Sequence, residues 1–447
     1  MTDPFDRFRH GPVTPLEPPE PGHFDAIVRR ARRRRRNRLV GTGLVLAGLV
    51  CATGSGLAML HHHQGKDSLD QAGGAADRTP LAASTEADDH PSEPGPTSGE
   101  HATALPAGVR VPAGFRPVSA TFVGLTGYLL GDAPCGAGRC TTVVRTLDSR
   151  SWTKIPGNLA ARLPNDLDPD ADLPSTVRDV RFASARDGWA FGGALFATHD
   201  GGAHWASVDV DGSVVDLATD GKRVYALVTS CASEGDDCAR DPRLVSAKVT
   251  SDRFAEEGVT ATGLAHAQLA LAGDTVAVQV GDGPAAAVYV RNSVGHWLRR
   301  DDRCKDVEAT SMLVATASED RLFSLCGAGD PDTGLSFDVY RSDDTGRTWQ
   351  RQAAGTLKAT GEWLTATATS RRTVLIGTGD SDGRTGTVQV SLDSGSTWRT
   401  PSGLPAGGCR YLGANSSSKV IALPAVPTNA LYVSFDGGRS FQATPVR

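Results

Sequence analysis

ATHDGGAHW, Ala197 to Trp205, packs a carboxylate, two glycines, two imidazoles and a tryptophan into nine residues. Its spelling recurs in RSDDTGRTW (Arg341 to Trp349), VSLDSGSTW (Val390 to Trp398) and VSFDGGRSF (Val433 to Phe441). One frame fits all of them: Ser or Thr, any residue, Asp, any, Gly, two of any kind, then an aromatic. A motif repeated at fixed internal spacing speaks of architecture before chemistry, because a catalytic group is not needed once per repeat. His199 then reads as an incidental occupant of a variable position.

Elementary turn chemistry accounts for the frame without a ligand. The Asp carboxylate and the Ser or Thr hydroxyl accept hydrogen bonds from amides of their own turn, and Gly supplies a positive φ. The aromatic, carried onto the next strand, buries a large apolar face. The stretch is therefore expected to be a structural hairpin corner, joining the third strand of a four-stranded sheet to the fourth.

These corners resemble the Asp-box, or BNR, repeat of sialidase-like β-propellers. The residues that carry the resemblance are Thr198, Asp200, Gly202 and Trp205; Ser342, Asp344, Gly346 and Trp349; Ser391, Asp393, Gly395 and Trp398; and Ser434, Asp436, Gly438 and Phe441. Degenerate copies fill the intervals: RTLDSRSW keeps Thr146 and Asp148, VTSDRF keeps Asp252, and RNSVGHW keeps Gly295 and Trp297. With Ser293 marking the last of these, the seven copies fall roughly 41 to 52 residues apart, about 48 on average, the length of one four-stranded blade. Five of the seven tryptophans stand at or beside the aromatic position, which makes tryptophan the mortar between blades. The expected fold is all-β, a seven-bladed β-propeller, with six or eight blades as alternatives.

The resemblance implies a sialidase-like exo-glycoside hydrolase or a non-enzymatic relative. Sialidases of this fold use an arginine cluster for the substrate carboxylate, a tyrosine nucleophile with a glutamate partner and an aspartate acid. Their early Arg-Ile-Pro signature would fall at Phe115, Arg116 and Pro117, where the apolar residue between Arg and Pro is missing. None of the six tyrosines stands in a context that marks it as nucleophile. A non-catalytic binding or scaffold module for a protein, glycan or cation is the leading expectation, and no residue is assigned a catalytic role.

Four segments are expected. Residues 1–38 end in RRARRRRRNR and form a basic cytoplasmic segment, residues 39–60 are uncharged until the histidines that follow, residues 61–106 make a disordered linker, and residues 107–447 make the propeller. At about 1.5 Å per residue the 39–60 stretch is long enough to cross a bilayer core of about 30 Å. Arginines before it and none directly after it put the N-terminus in the cytoplasm and the propeller outside. A cleaved signal peptide or a twin-arginine signal would export the propeller equally. The linker has no aromatic residue from Gln64 to Pro106 and is rich in Ala, Gly, Pro, Ser, Thr and acids, so it cannot bury enough apolar surface to order itself. The triplet His61 to His63 belongs to that solvated tract.

The first 38 residues carry ten arginines against five acids, so the rest of a chain whose net charge is −5 stands at −10. A globally acidic ectodomain excludes nucleic acid as a partner. Of eight cysteines, Cys51 falls in the span; Cys135 with Cys140 and Cys231 with Cys238 are close pairs suited to disulfides in an exported domain. Cys304 with Cys326 is a weaker third pair, leaving Cys409 odd, and no pair has zinc-site spacing.

Binding is expected on the face opposite the corners, where the long loops run. Those loops are acidic, with Asp166, Asp168, Asp236, Asp237, Asp330, Asp332, Asp380 and Asp382 as candidate ligand-face residues. Their sign suits a cationic partner, and calcium is the one cofactor suggested, although GDSDG and GDPDTG complete no EF-hand loop.

Overall fold

The computed structural model describes residues 105–163, 175–230, 242–260, 267–272, 275–280, 287–292, 294–304, 310–317, 321–330, 334–352, 357–361, 363–380 and 383–447. The expected span at 39–60 and the linker up to residue 104 lie outside them, as do Cys231 and Cys238. Among the described residues no helix is long and apolar enough to cross a membrane.

The described chain forms seven antiparallel sheets in sequence order, each made of up-and-down strands. Their innermost strands are Arg116–Val123, Asp179–Phe182, Ser213–Thr219, Ala267–Ala272, Thr310–Ala315, Trp363–Ser370 and Cys409–Ala414, and each packs on the next, the seventh returning to the first. This closed ring is a seven-bladed β-propeller, as the repeat spacing predicts. The composition of the strands explains their depth. Second strands such as RVYALVT (Arg223–Thr229) and TVLIGTG (Thr373–Gly379) are β-branched and buried almost throughout, because neighbouring blades cover both faces. The fourth strands of blades 2 and 5, Ala206–Ser207 and Gln350–Arg351, are short and exposed, which blunts the sheet edge.

All seven markers fall between third and fourth strands. Blade 6 lacks a regular fourth strand, and there a single bridge between Val390 and Arg399 takes its place. The core lies between blades rather than along an axis. Leu375, Val388 and Val390 of blade 6 pack with Leu412, Val420, Ala422 and Phe441 of blade 7. Phe115, Phe122 and Trp152 of blade 1 pack with Ile421, Leu423 and Val433 of blade 7. Fully burying one such side chain stabilises the fold by roughly 1.5–3 kcal/mol. This last interface closes the ring by side-chain packing, since every strand of blade 7 comes from the C-terminal end and every strand of blade 1 from the N-terminal side.

Polar side chains stitch the inner strands together. Ser119 Oγ accepts from the Val180 amide at 3.2 Å, Asp216 Oδ2 from Leu269 at 2.8 Å, Gln268 Oε1 from Leu313 at 2.8 Å and Thr365 Oγ1 from Leu412 at 3.2 Å. Each link runs from one blade to the next. Bulges at Pro117/Ser119 and Val214/Asp216 re-aim two of these side chains.

Two of the cysteine pairs expected from spacing are disulfides. Cys135–Cys140 closes the hairpin between the second and third strands of blade 1, and Cys304–Cys326 ties the connection after blade 4 to the second strand of blade 5. Cys409 is a buried thiol whose pKa burial pushes up.

Candidate functional site

The four full corners are wired alike. In blade 5 the Ser342 hydroxyl donates to Asp344 Oδ1 at 2.9 Å and accepts from the Gly346 amide at 2.7 Å. Asp344 Oδ1 also accepts from the Thr348 amide at 2.8 Å, and Oδ2 from the Thr348 hydroxyl at 2.7 Å. Ser391, Asp393, Gly395 and Thr397 repeat the set in blade 6, and Ser434, Asp436, Gly438 and Ser440 in blade 7. Thr198, Asp200 and Gly202 do so in blade 2 with His204, whose Nδ1 lies 2.6 Å from Asp200 Oδ2. Both carboxylate oxygens are thus spent inside the turn. For Asp436, burial opposes ionisation but the bonds from Ser440, Ser434 and Arg439 outweigh it and hold the acid at about 2.

The residue after each Asp also takes a left-handed φ: Thr345 at 56° and Ser394 at 66°, with Gly201 and Gly437 in the same place. The frame's own glycine has a second duty. A Cβ on Gly395 would stand 2.7 Å from Val339, and one on Gly438 would stand 2.5 Å from Leu375, both on the preceding blade. The corner is therefore where one blade leans on its neighbour. Its aromatic follows suit: Phe441 joins the core between blades 6 and 7, and Trp297 meets Tyr225 of blade 3 edge-on.

Two degenerate corners differ from their sequence reading. In blade 4 the acid's place is taken by Asn292, not Ser293: Asn292 Oδ1 accepts from Val294 at 3.2 Å and from His296 at 2.8 Å. Asn292 stands five residues before Trp297, as Asp200 stands five before Trp205, and that spacing was the available signal. In blade 3 Asp252 bonds His199 Nε2 at 3.2 Å, while His199 Nδ1 meets Asp187 at 2.9 Å. His199 is no incidental occupant, for it bridges two blades between two carboxylates. Partial burial opposes its protonation, but Asp187 and Asp252 prevail and raise its pKa.

Near the propeller axis lies a polar cluster that the sequence did not announce. Arg181 is buried, with its guanidinium 5.9 Å from the Phe191 ring centroid and Nε donating to the Leu217 carbonyl at 3.4 Å. Asp179, Asp216 and Tyr411 surround it electrostatically. Burial pushes Asp216 up to about 7, against the pull of the Leu269 amide and Arg181. Burial likewise raises Asp179 and Tyr411. Tyr411 donates its hydroxyl proton to the Ala120 carbonyl, so this cluster locks blades 7 and 1 together.

Of the candidate ligand-face acids, Asp166, Asp168, Asp236, Asp237, Asp332 and Asp382 lie outside the described residues, and Asp330 is described in its backbone as the end of the strand Leu322–Asp330. Asp380 is buried. Its oxygens accept from the Arg384 amide at 3.0 Å and the Thr385 amide at 2.9 Å, and from the Thr385 hydroxyl, so the carboxylate organises its own loop. Among the described residues no group of three His, Cys, Asp or Glu could hold a metal. Arg116 is engaged too: its Nε and terminal nitrogen grip Asp132 at 3.0 and 2.9 Å, and Arg139 binds the same carboxylate.

A cleft of about 370 Å³ opens on the corner face between blades 5 and 6. Arg341, from the third strand of blade 5, lines it together with Arg371 and Arg372, from the turn after the first strand of blade 6. Its floor is fixed by Ser394, whose hydroxyl accepts from Arg341 at 3.0 Å and donates to the Arg371 carbonyl at 2.9 Å, while its amide donates to the Arg372 carbonyl at 2.7 Å.

No family model matches the chain, and no curated protein matches it. Solved structures do. One described as YCF48 bound to D1 peptide shares 13% identity over 75% of this chain and 97% of its own, with a TM-score of 0.43. The GH74 xyloglucanase from Xanthomonas campestris shares 13% identity over 73% of this chain and 72% of its own, at 0.26. The acylaminoacyl peptidase of Pyrococcus horikoshii shares 9% identity over 74% of this chain, which spans about half (52%) of that enzyme, at 0.48. Likeness of this degree concerns fold and not activity.

Proposed function

We propose that this chain is a membrane-anchored, extracytoplasmic propeller of the Asp-box, sialidase-like kind, working as a binding or scaffold module rather than as a glycoside hydrolase. The observation that carries this reading is Arg116. It stands where the sialidase resemblance would put the first arginine for a substrate carboxylate, and its fork is already filled by Asp132. That ion pair offsets the guanidinium's charge and ties up its Nε edge, which weakens its pull on a substrate carboxylate. The tyrosines add weight: burial pushes Tyr128 and Tyr225 up to about 12, away from the phenolate a nucleophile needs. In this reading residues 1–38 are cytoplasmic, 39–60 span the membrane, 61–106 form the stalk and 107–447 the ectodomain, and the disulfides suit an oxidising compartment. Loops on the rigid ring supply the contacts to a protein, glycan or cation. Fluorogenic sialosides and a glycan array, offered to the purified chain, test the proposal. Saturable binding without turnover is the expected result; sialoside hydrolysis abolished by Arg116→Ala would sink it.

A further inference from the structure

We propose that the cleft between blades 5 and 6 binds a phosphate or sulfate monoester, an inference that rests on the reading of the propeller as a binding module. The charge balance points that way. Arg341, Arg371 and Arg372 line the cleft, and the two acids beside them already have partners for their oxygens. Asp343 is held by Arg321 at 3.0 Å and by Arg341 at 3.1 Å, and Asp393 spends its oxygens on Ser391 and Thr397. Among the described residues, and counting Arg321, four guanidiniums stand beside two carboxylates within a domain that is acidic as a whole. Such a local reversal focuses field on an anion and keeps cations out.

Shape and donor type narrow the class. The volume is at the small end of ligand sites, and among the described residues no aromatic side chain lines it, so no ring there stacks on a nucleobase or a sugar. Guanidinium forks match the oxygens of phosphate and sulfate, and a group with three terminal oxygens can engage more than one fork at once. Gln352 adds an amide beside Arg341. The floor is preorganised, because Ser394 is pinned by Arg341 and by the carbonyls of Arg371 and Arg372. Asp343 acts as a resident counterion that an incoming dianion must outcompete.

Calorimetry on the purified full-length chain tests this with inorganic phosphate, inorganic sulfate, O-phosphoserine and glutamate, and with phosphatidylcholine vesicles containing phosphatidylglycerol, an anionic phosphodiester. Phosphate or sulfate and the phosphoserine should bind saturably, and glutamate should bind more weakly. Arg371→Gln with Arg372→Gln, both exposed, should weaken binding about tenfold or more at an unchanged Tm, while Asp343→Asn should tighten it about threefold. Unchanged affinity in the double variant, weaker binding in Asp343→Asn, equal affinity for glutamate, or binding to the vesicles alone would each overturn the proposal. If these anions fail while arrays still report a saturable ligand, the cleft assignment falls and the module reading stands. If sialosides are hydrolysed, the module reading falls whatever the cleft does.

Discussion

The ammonium of Lys419 lies 3.9 Å from the centroid of the Phe122 ring, joining the last blade of the propeller to the first. Lys419 Nζ also donates to the Ser149 hydroxyl at 3.1 Å, so one side chain touches an inner strand and a corner of blade 1. In the absence of a strand shared between the chain's two ends, this contact, the Tyr411 bond to Ala120 and the apolar interface around them hold the ring shut. The ring face returns part of the solvation that the ammonium loses on burial, and burial prevails.

Lys419 also makes closure sensitive to pH. Burial pushes its pKa down to about 8, against about 10.4 in an unfolded chain. Between those values the unfolded state binds more protons, so this residue's contribution to stability rises with pH across that window and its charging costs stability below it. Denaturant unfolding at pH 7.5 and pH 9.5 should show a difference, on the order of 1 kcal/mol, that Lys419→Met abolishes. A pH dependence unchanged in Lys419→Met would show that the ammonium is not desolvated.

The corners should behave as structure. Asp393→Ala leaves the Thr397 amide and the Ser391 and Thr397 hydroxyls without their acceptor, and should cost about 1–3 kcal/mol. The acids also set an acid limit. Asp436 is held at about 2, below its unfolded value of about 3.9, so its contribution is complete above the unfolded pKa and fades as pH falls towards 2. In blade 4, Asn292→Asp should stabilise by a few tenths to about 1 kcal/mol, since a carboxylate accepts amide bonds more strongly than an amide oxygen does. A ligand affinity that moves with Asp436→Ala, whose corner lies away from the cleft, at constant melting temperature would show a binding site mistaken for a corner.

His199 titrates in the opposite sense from Lys419. Its pKa is raised by Asp187 and Asp252, so the bridge between blades 2 and 3 is fully formed below the unfolded pKa of about 6.5 and lost as pH rises through the folded value. Its side chain is 37% exposed, so solvent screening keeps the effect below about 1 kcal/mol. Proton NMR titration should find an imidazole pKa above 6.5 that returns to the ordinary value in Asp187→Asn. An unshifted His199 in the intact protein would contradict the bridge.

Blade number and the strand order around each corner were legible because four copies of the motif put Ser or Thr, Asp, Gly and an aromatic at fixed offsets, and each has a local mechanism. What bridges blades was not legible. Asp252 and His199 are 53 residues apart, Lys419 and Ser149 are 270 apart, and only ring closure brings them together. The axial cluster was hidden for the same reason: Arg181, Asp216 and Tyr411 come from three blades, and in sequence each looks like a polar interruption of a strand. Asp380 misled because an acidic loop residue looks the same whether its carboxylate faces solvent or caps its own turn. The cleft carries no sequence signal, because Arg371 and Arg372 occupy a two-residue turn with no motif around it and Arg341 comes from another blade.

Topology is the prediction on which the proposed role depends. The cluster RRARRRRRNR precedes Leu39–Leu60, and the positive-inside bias that fixes orientation is read from charges close to the span. The flank after the span carries HHHQGKD, which supplies a single lysine. Both disulfides fall in the propeller, on the side that this orientation exports. Protease added to intact cells should cut within residues 61–106, where few apolar residues protect the chain, and release the propeller as a resistant fragment. An epitope placed before residue 38 should survive on the cell side of the membrane, attached to the span. Release of the propeller without any protease would point to cleavage of a signal peptide, and loss of the N-terminal epitope from intact cells would reverse the orientation and with it the placement of every loop that this reading assigns to ligand.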